Sequence, residues 1–407
     1  MTRLPEMETV SAAAAGPAEL RGVMVDRLRD EQVVPSAAVE DAMRAVARHV
    51  FAPDVPLEQA YGPDPVVTHR DSAGVAISSA SAPGVVAGML EELDVRPGHR
   101  VLEIGAGTGY NAALLAHMVG AAGSVTTVEY DEAVAVSAGE ALARAGYGQV
   151  MVVCGDGVFG WAGNAPYDRI VVTAGAWDVP PAWRDQLAGD GVLVVPLRMR
   201  GLTRVVALER DGAALVSRSA RMCGFVPMRG IGAVAEQNVW VGSDGDLLLR
   251  IDDGQQADRA ALAGGLDHPV AVTWTGVPFA MPEILDFWLA GLDGFCRVLV
   301  SRDAVASGRV VAPLFPWGSM GVFGRGSVAY LTASADMSEL GVAAYGAAGQ
   351  ALADMVAERI REWDRAGGQR MSVQVEIHPA GAALDRGGWL VIGKKHSSVV
   401  VRMVPGA

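Results

Sequence analysis

At 407 residues the chain is long enough for two domains, each with a sizeable core. Its formal net charge of −13 argues against a nucleic-acid partner, because a polyanion is repelled. Three cysteines, Cys154, Cys223 and Cys296, lie far apart without Cys-x-x-Cys spacing, which excludes a disulfide framework or a zinc site and points to a reducing cytoplasm.

The N-terminus carries acids at Glu6 and Glu8 and a brief alanine run, too weakly apolar for a signal peptide. No window reaches the roughly 20 apolar residues of a membrane span. Residues 1–17 read as a disordered lead-in. Helices follow over 19–29 and 36–50, the second with Ser36 as N-cap and Val39, Met43, Val46 and Val50 at helical spacing. A loop rich in Pro, Gly and Asp then runs over 54–76, and a helix over 83–93 stops at Arg96-Pro97-Gly98. From there apolar runs alternate with helical patterns: strand 101–104, helix 111–119, strand 125–128, helix 132–144, strand 150–153, strand 169–172, helix 182–187, strand 192–195. That alternation predicts an α/β fold with a doubly wound parallel sheet. Strands 205–209 and 215–219, joined by Asp211-Gly212, close the unit as a hairpin. Residues 18–235 therefore form one expected domain. Residues 236–407, with strands near 270–274, 298–300, 327–331, 373–377 and 399–403, form a second α+β domain. Its one long helix is expected to turn Leu352, Met355, Val356, Ile360 and Trp363 to one face.

The most informative stretch is Val101-Leu102-Glu103-Ile104-Gly105-Ala106-Gly107-Thr108-Gly109-Tyr110. A strand, a glycine turn and a helix N-terminus make a nucleotide-binding corner, where glycines let backbone N–H groups approach the ligand. Tyr110 stands where a dinucleotide fingerprint has its third glycine, and its bulk obstructs a pyrophosphate. Glu103 before the turn favours a cation, and a sulfonium such as S-adenosylmethionine fits better than NAD. Glu129 follows the next strand, about 20 residues beyond the turn, where a carboxylate accepts both ribose hydroxyls. Asp156, in Gly155-Asp156-Gly157, follows the third strand and is placed to accept from an adenine amine. Each acid alone reads rather as a solvated strand end; the three in register make a nucleoside site.

Residues 101–116, Val128-Glu129-Tyr130-Asp131, Gly155-Asp156-Gly157, Pro166 through Ala174, residues 187–196 and Phe225-Val226-Pro227-Met228-Arg229-Gly230 resemble successive motifs of the protein-L-isoaspartate O-methyltransferases. Val46 through Pro53 and Ala60-Tyr61 agree with them. The resemblance covers about residues 20–234. It implies a class I methyltransferase fold (a Rossmann-like doubly wound sheet), S-adenosyl-L-methionine as donor and a peptide carboxylate as acceptor. It places Glu103, Gly105, Ala106, Gly107, Thr108, Gly109, Tyr110, Glu129, Tyr130, Gly155, Asp156, Gly157 and Thr173 at the donor.

Within the same resemblance Ser79-Ala80-Ser81-Ala82-Pro83 corresponds to the loop that closes over the acceptor, with Ser81 in the place of the active-site serine. A carboxyl group ordinarily titrates near about pH 4 and is already ionised at neutral pH, so no general base is required. Hydroxyls of Ser79 and Ser81, with N–H groups over residues 173–176 (Ala174 and Gly175 among them), can hold the oxygen that does not react. The serines read equally as a cap before Pro83. The family's Gly-Tyr-Gly-Gln run is replaced by a polar stretch, Thr68 to Gly74, where His69 and Arg70 either bind an acceptor carboxylate or line a solvated loop. Arg198, Arg200 and Arg204 are read as solvated hairpin arginines, or as a guide for an acidic leader peptide. Residues 236–407 are expected to lack a counterpart in the repair enzymes and to serve peptide recognition. With that section the chain resembles the actinobacterial lanthipeptide-associated "FxLD system" type. There the acceptor is an aspartate of a ribosomally made precursor, and its ester closes to a succinimide and then isoaspartate. The alternatives are repair of isoaspartate in damaged proteins and, of another class, a non-catalytic peptide-binding protein.

Overall fold

The computed structural model describes residues 15–406 except 73, 75, 243, 244, 253, 280, 317, 385 and 386. The lead-in expected over 1–17 falls outside the described residues as far as 14, and helix α1 (Pro17–Asp30) opens at its end, with proline in the first turn. Helix α2 (Ala37–Ala45) is capped by Ser36, whose Oγ accepts from the Val39 N–H. It is shorter than its periodicity suggests, because the chain turns out at Val46 and continues as a 3-10 turn over Arg48–Phe51.

The stretch expected as loop holds a one-turn helix, Leu57–Ala60, and an antiparallel hairpin of β1 (Val66–Arg70) and β2 (Ala76–Ala80). Helix α3 (Pro83–Leu93) leads to β3 (Arg100–Ile104), α4 (Tyr110–Val119), β4 (Ser124–Glu129), α5 (Glu132–Arg144), β5 (Met151–Cys154), β6 (Tyr167–Val172), α6 (Pro181–Gln186) and β7 (Leu187–Met199). Strands β3 to β7 are parallel, in the order β5-β4-β3-β6-β7. The chain steps outward from β3 to β5 and then crosses to the other side, so the order reverses beside β3. A ligand crevice opens at such a switch point, at the carboxyl ends of the strands.

Both faces of the inner strands β3, β4 and β6 are buried, which is why they read as continuous apolar runs, whereas those of β5 at the edge are not. Val101, Val125, Val171 and Val194 pack with α1 to α4 on one face. Leu102, Ile104, Val128, Ile170, Val172 and Leu193 pack on the other. The second cluster does not stop at residue 235. It continues through Leu285, Phe287, Val356, Ile360, Val375 and Ile377.

Strand β8 (Leu202–Asp211) extends the sheet antiparallel to β7, and β9 (Ala214–Met222) follows antiparallel to β8, but they do not close it. The sheet gains three more strands from the far end of the chain. Those strands are preceded by a seven-stranded antiparallel sheet, in the order β10 (Gln237–Val241), β11 (Leu247–Ile251), β13 (Phe295–Val300), β14 (Ser319–Gly324), β15 (Ser327–Ala333), β16 (Glu339–Tyr345), β12 (Ala271–Pro278). Helix α7 (Glu283–Leu289) and helix α8 (Gly349–Arg365) pack toward the shared core. On α8 the buried side chains include Val356, Ile360 and Trp363, whereas Met355, expected beside them, is 40% exposed.

The chain then returns: β17 (Met371–Pro379) pairs with β9 through Glu376↔Val216 and Ile377↔Leu215, and β19 (Ser397–Pro405) and β18 (Leu390–Gly393) complete ten strands. The α+β content expected over 236–407 is present, but that section shares both a sheet and a core with the first.

Candidate active site

Backbone geometry makes the glycine turn. Gly105, Gly107 and Gly109 have φ of +103°, +53° and +87°, in the left-handed region that glycine adopts without steric cost. At Gly105 space forbids a side chain as well, since a Cβ would lie 2.6 Å from Thr173 Oγ1. Gly109 is the cap of α4, so the helix N-terminus points into the turn. Thr173 ties β6 to the turn by donating its hydroxyl to the Ile104 and Gly105 carbonyls at 3.0 and 2.5 Å.

Glu103 is fully buried at the end of β3. Its Oε1 accepts from Asn111 Nδ2 at 2.8 Å and its Oε2 from Thr127 Oγ1 at 2.6 Å. Burial pushes its carboxyl up to about 7, against those two hydrogen bonds, which favour the charged form. Glu129, 8% exposed, accepts the Gly107 N–H at 3.0 Å and the Asp131 N–H at 3.2 Å, which fixes the carboxylate over the turn. Arg229 closes this corner: its Nη2 lies 3.2 Å from Asp131 Oδ2 and 3.8 Å from Glu129 Oε1, with the guanidinium 5.3 Å from the Tyr130 ring centre.

One cavity of about 940 Å³ runs from this corner to the serine loop. Of the donor residues read from sequence, Glu103, Gly105, Ala106, Gly107, Thr108, Tyr110, Glu129, Tyr130, Gly157 and Thr173 line it. Ser79, Ser81 and Ala174, expected at the acceptor, line it too, with Val67, Ile77, Met89 and Phe225.

Other sequence expectations find different places. Gly155 and Asp156 are not among the residues that line the cavity. Asp156 accepts from the Val158 N–H at 3.0 Å and the Ile231 N–H at 2.8 Å, pinning the segment after Arg229. His69 and Arg70 lie on β1 outside the cavity, with His69 Nδ1 3.4 Å from Thr68 Oγ1 and Arg70 donating to the Gly74 carbonyl. Three of the four backbone N–H groups expected to hold the acceptor are engaged elsewhere. Thr173 donates to Ile104, Gly175 to Val226 and Ala176 to Pro196, because the strand β6 end is stitched to its neighbours.

The three arginines of the β7–β8 hairpin are structural ties. Arg198 pairs with Glu236 at 2.6 Å, Arg200 bonds Gln255 and the Leu292 carbonyl, and Arg204 is buried against Asp286 at 2.9 Å. Residues that the sequence reading passed over include Asn111 and Thr127 on Glu103, and Arg229. The signal for Arg229 is a lone cation in Phe225 to Gly230, beside the acids it pairs with only in three dimensions. Among the described residues, no group of three His, Cys, Asp or Glu side chains could hold a metal ion, and no helix is long and apolar enough to cross a membrane.

A doubly wound sheet, a glycine turn at a helix N-terminus and an acid closing the turn from the next strand define a class I methyltransferase. Residues 20–232 match the protein-L-isoaspartate(D-aspartate) O-methyltransferase (PCMT) family, and the chain belongs to that family. It is an S-adenosylmethionine-dependent protein carboxyl O-methyltransferase.

The chain is similar to the protein-L-isoaspartate O-methyltransferase of Methanopyrus kandleri, 40% identical over 209 residues that cover 51% of this chain and 90% of the relative. It is likewise 40% identical over 223 residues to that of Hyperthermus butylicus, covering 52% and 89%. A solved structure titled protein-L-isoaspartate O-methyltransferase superposes with a TM-score of 0.51 and 21% identity, covering 95% of this chain and 100% of its own. That likeness is one of fold. It extends well past residue 235, so the expectation that the C-terminal section has no counterpart under that name is corrected.

Proposed function

We propose that this enzyme methylates the free α-carboxylate of L-isoaspartyl residues in peptides and proteins, and that it does so in the cytoplasm. The observation that supports this reading is the single cavity joining the glycine turn, Glu103 and Glu129 at one end to Ser79 and Ser81 at the other. The residues suit the donor: left-handed glycines that leave room for it, a buried acid for a cationic group, and Glu129 for two ribose hydroxyls. When bound, S-adenosylmethionine supplies an electrophilic methyl on a sulfonium.

The chain's own part is orientation. Ser79 and Ser81 hold one carboxylate oxygen of an acceptor that arrives already ionised, leaving the other to face the donor end. The apolar walls from Val67, Ile77, Met89 and Phe225 keep water from that oxygen. Glu129→Ala is expected to weaken S-adenosylmethionine binding by about 1.5–3 kcal/mol, the worth of hydrogen bonds to a charged acceptor. Calorimetry on the folded variant measures it; unchanged affinity removes the ribose assignment.

A second reading is favoured by one observation, the β1–β2 hairpin that stands where the family has its Gly-Tyr-Gly-Gln run and lines the acceptor end. In that reading the acceptor is an ordinary aspartate of a ribosomally made, lanthipeptide-type precursor. Its methyl ester is then attacked by the following backbone nitrogen, which expels methanol and leaves a succinimide. Two peptides that differ only in an isoaspartyl or aspartyl linkage separate the readings by mass spectrometry. Methylation of the isoaspartyl peptide is expected. Methylation of the aspartyl peptide alone overturns the first reading in favour of the second. In the same assay Ser81→Ala is expected to lower turnover about 10–100-fold at saturating peptide, as a misplaced acceptor does, with donor affinity unchanged. A wild-type rate would misplace the site.

A further inference from the structure

Arg48 is among the largest fully buried side chains, at 1% exposure, and no carboxylate among the described residues forms an ion pair with it. A buried cation without a counter-ion is costly to a fold, and an apolar side chain would fill the same space. What the guanidinium does instead is join two separate pieces of backbone to its own. Its Nε donates to the Ala60 carbonyl at 2.7 Å, and its Nη2 donates to the Ala80 and Ser81 carbonyls at 3.2 and 2.8 Å. Its Nη1 has no hydrogen-bond partner. The guanidinium carbon lies 5.0 Å from the centre of the Tyr110 ring, at cation–π distance.

Both ends of this brace reach the cavity. Tyr110 opens α4 directly after the glycine turn and lines the donor end, and Ser81 lines the acceptor end. We infer that Arg48 is a positioning residue that sets the Ser79–Ser81 loop against the glycine turn, and so fixes the distance between acceptor and donor. The inference rests on the reading of that loop as the acceptor site. Planar geometry is what the role needs. Three N–H vectors in one plane reach Ala60 on one side and Ala80 and Ser81 on the other, which an ammonium on a flexible stem cannot reproduce.

The deciding variant is Arg48→Lys, which keeps the charge and most of the stem, with Arg48→Met as a second. The assay uses whichever of the isoaspartyl and aspartyl peptides the wild-type enzyme methylates, so a mistaken acceptor class leaves the comparison intact. In Arg48→Lys, kcat/KM for peptide is expected to fall about 100-fold, the effect of a displacement near 1 Å, while the donor Kd stays within about twofold of wild type. Arg48→Met is expected to fall at least as far. Wild-type peptide kinetics in Arg48→Lys overturn the inference. So does a donor affinity that drops in step with activity, since that is what general loosening of the fold produces.

Discussion

Binding of S-adenosylmethionine is expected to release a proton at pH 6, and to tighten as pH rises toward 7 and then level off. The group responsible is Glu103. In the free enzyme burial holds its carboxyl up to about 7, with the nearby Glu129 carboxylate adding to the rise and Thr127 and Asn111 opposing it. At pH 6 most of Glu103 is therefore protonated. A donor that brings a sulfonium and an ammonium to the cavity favours the ionised form, so the proton leaves on binding. Linkage gives the sign: the free enzyme holds the proton up to about 7 and the complex loses it lower, so affinity climbs through that interval, by at most about tenfold per pH unit. Calorimetry at pH 6 in buffers of different ionisation enthalpy counts the proton directly.

Glu103→Gln is expected to abolish both the proton release and the pH dependence, and to weaken donor binding by about 1.5–3 kcal/mol. The same variant gains stability without ligand. A carboxyl whose folded pKa is raised from 4.5 to about 7 costs the fold as pH rises through that window, and glutamine has nothing to ionise. Buffer-independent enthalpies together with a flat Kd from pH 6 to 8 would falsify the assignment of Glu103 to the cation.

The donor half of this site is written locally, and this is why it was legible. Three glycines, a buried strand before them and an acid at the next strand end all lie within one β-α-β unit, where spacing in sequence becomes spacing in the fold. The acceptor half is not local. The β1–β2 hairpin breaks its period-two pattern with irregular register between Val67 and His69 and again between His69 and Arg70, so the stretch reads as a polar loop. His69 and Arg70 looked like acceptor ligands because their charges were visible and the side of the strand they take was not.

The C-terminal sheet was under-read for another reason. Its strands carry glycine at interior positions, such as Gly321 in β14, packed on the Ala329 carbonyl and Val298, and Gly341 in β16, packed on Trp274, where there is no room for a Cβ. Such positions weaken every propensity signal. The pairing of β17 with β9 bridges two strands far apart in the chain and leaves no trace in either one alone. Arg204 shows the same limit: its partner is 82 residues away, and without it a hairpin arginine reads as solvated.

That buried pair is where the first sheet meets the second section, and its loss is expected to give the largest change in stability. Arg204 and Asp286 are 2% and 3% exposed at their side chains and meet at 2.9 Å, with the guanidinium 5.1 Å from the Phe287 ring centre. The remaining Asp286 Oδ1 and Arg204 Nε have no hydrogen-bond partners. Burial pushes Asp286 up to about 6, with Arg204 pulling it back toward the charged form. Arg204→Met removes the pull and leaves a lone carboxyl in the shared core, which is expected to destabilise the protein by about 3–5 kcal/mol at pH 7.5. The loss is expected to shrink on acidification. Asp286 in the variant takes up a proton well above its ordinary pKa, so the folded state binds a proton that the unfolded chain has released, and stability falls as pH rises through that interval. Adding Asp286→Leu is expected to restore most of the loss, because two apolar side chains suit this site as well as an imperfectly satisfied ion pair does. Urea unfolding of the single and double variants at pH 5.5 and 7.5 measures all three effects. A double variant no more stable than Arg204→Met at pH 7.5 would show that the arginine acts through its packing on Phe287, and not through its charge.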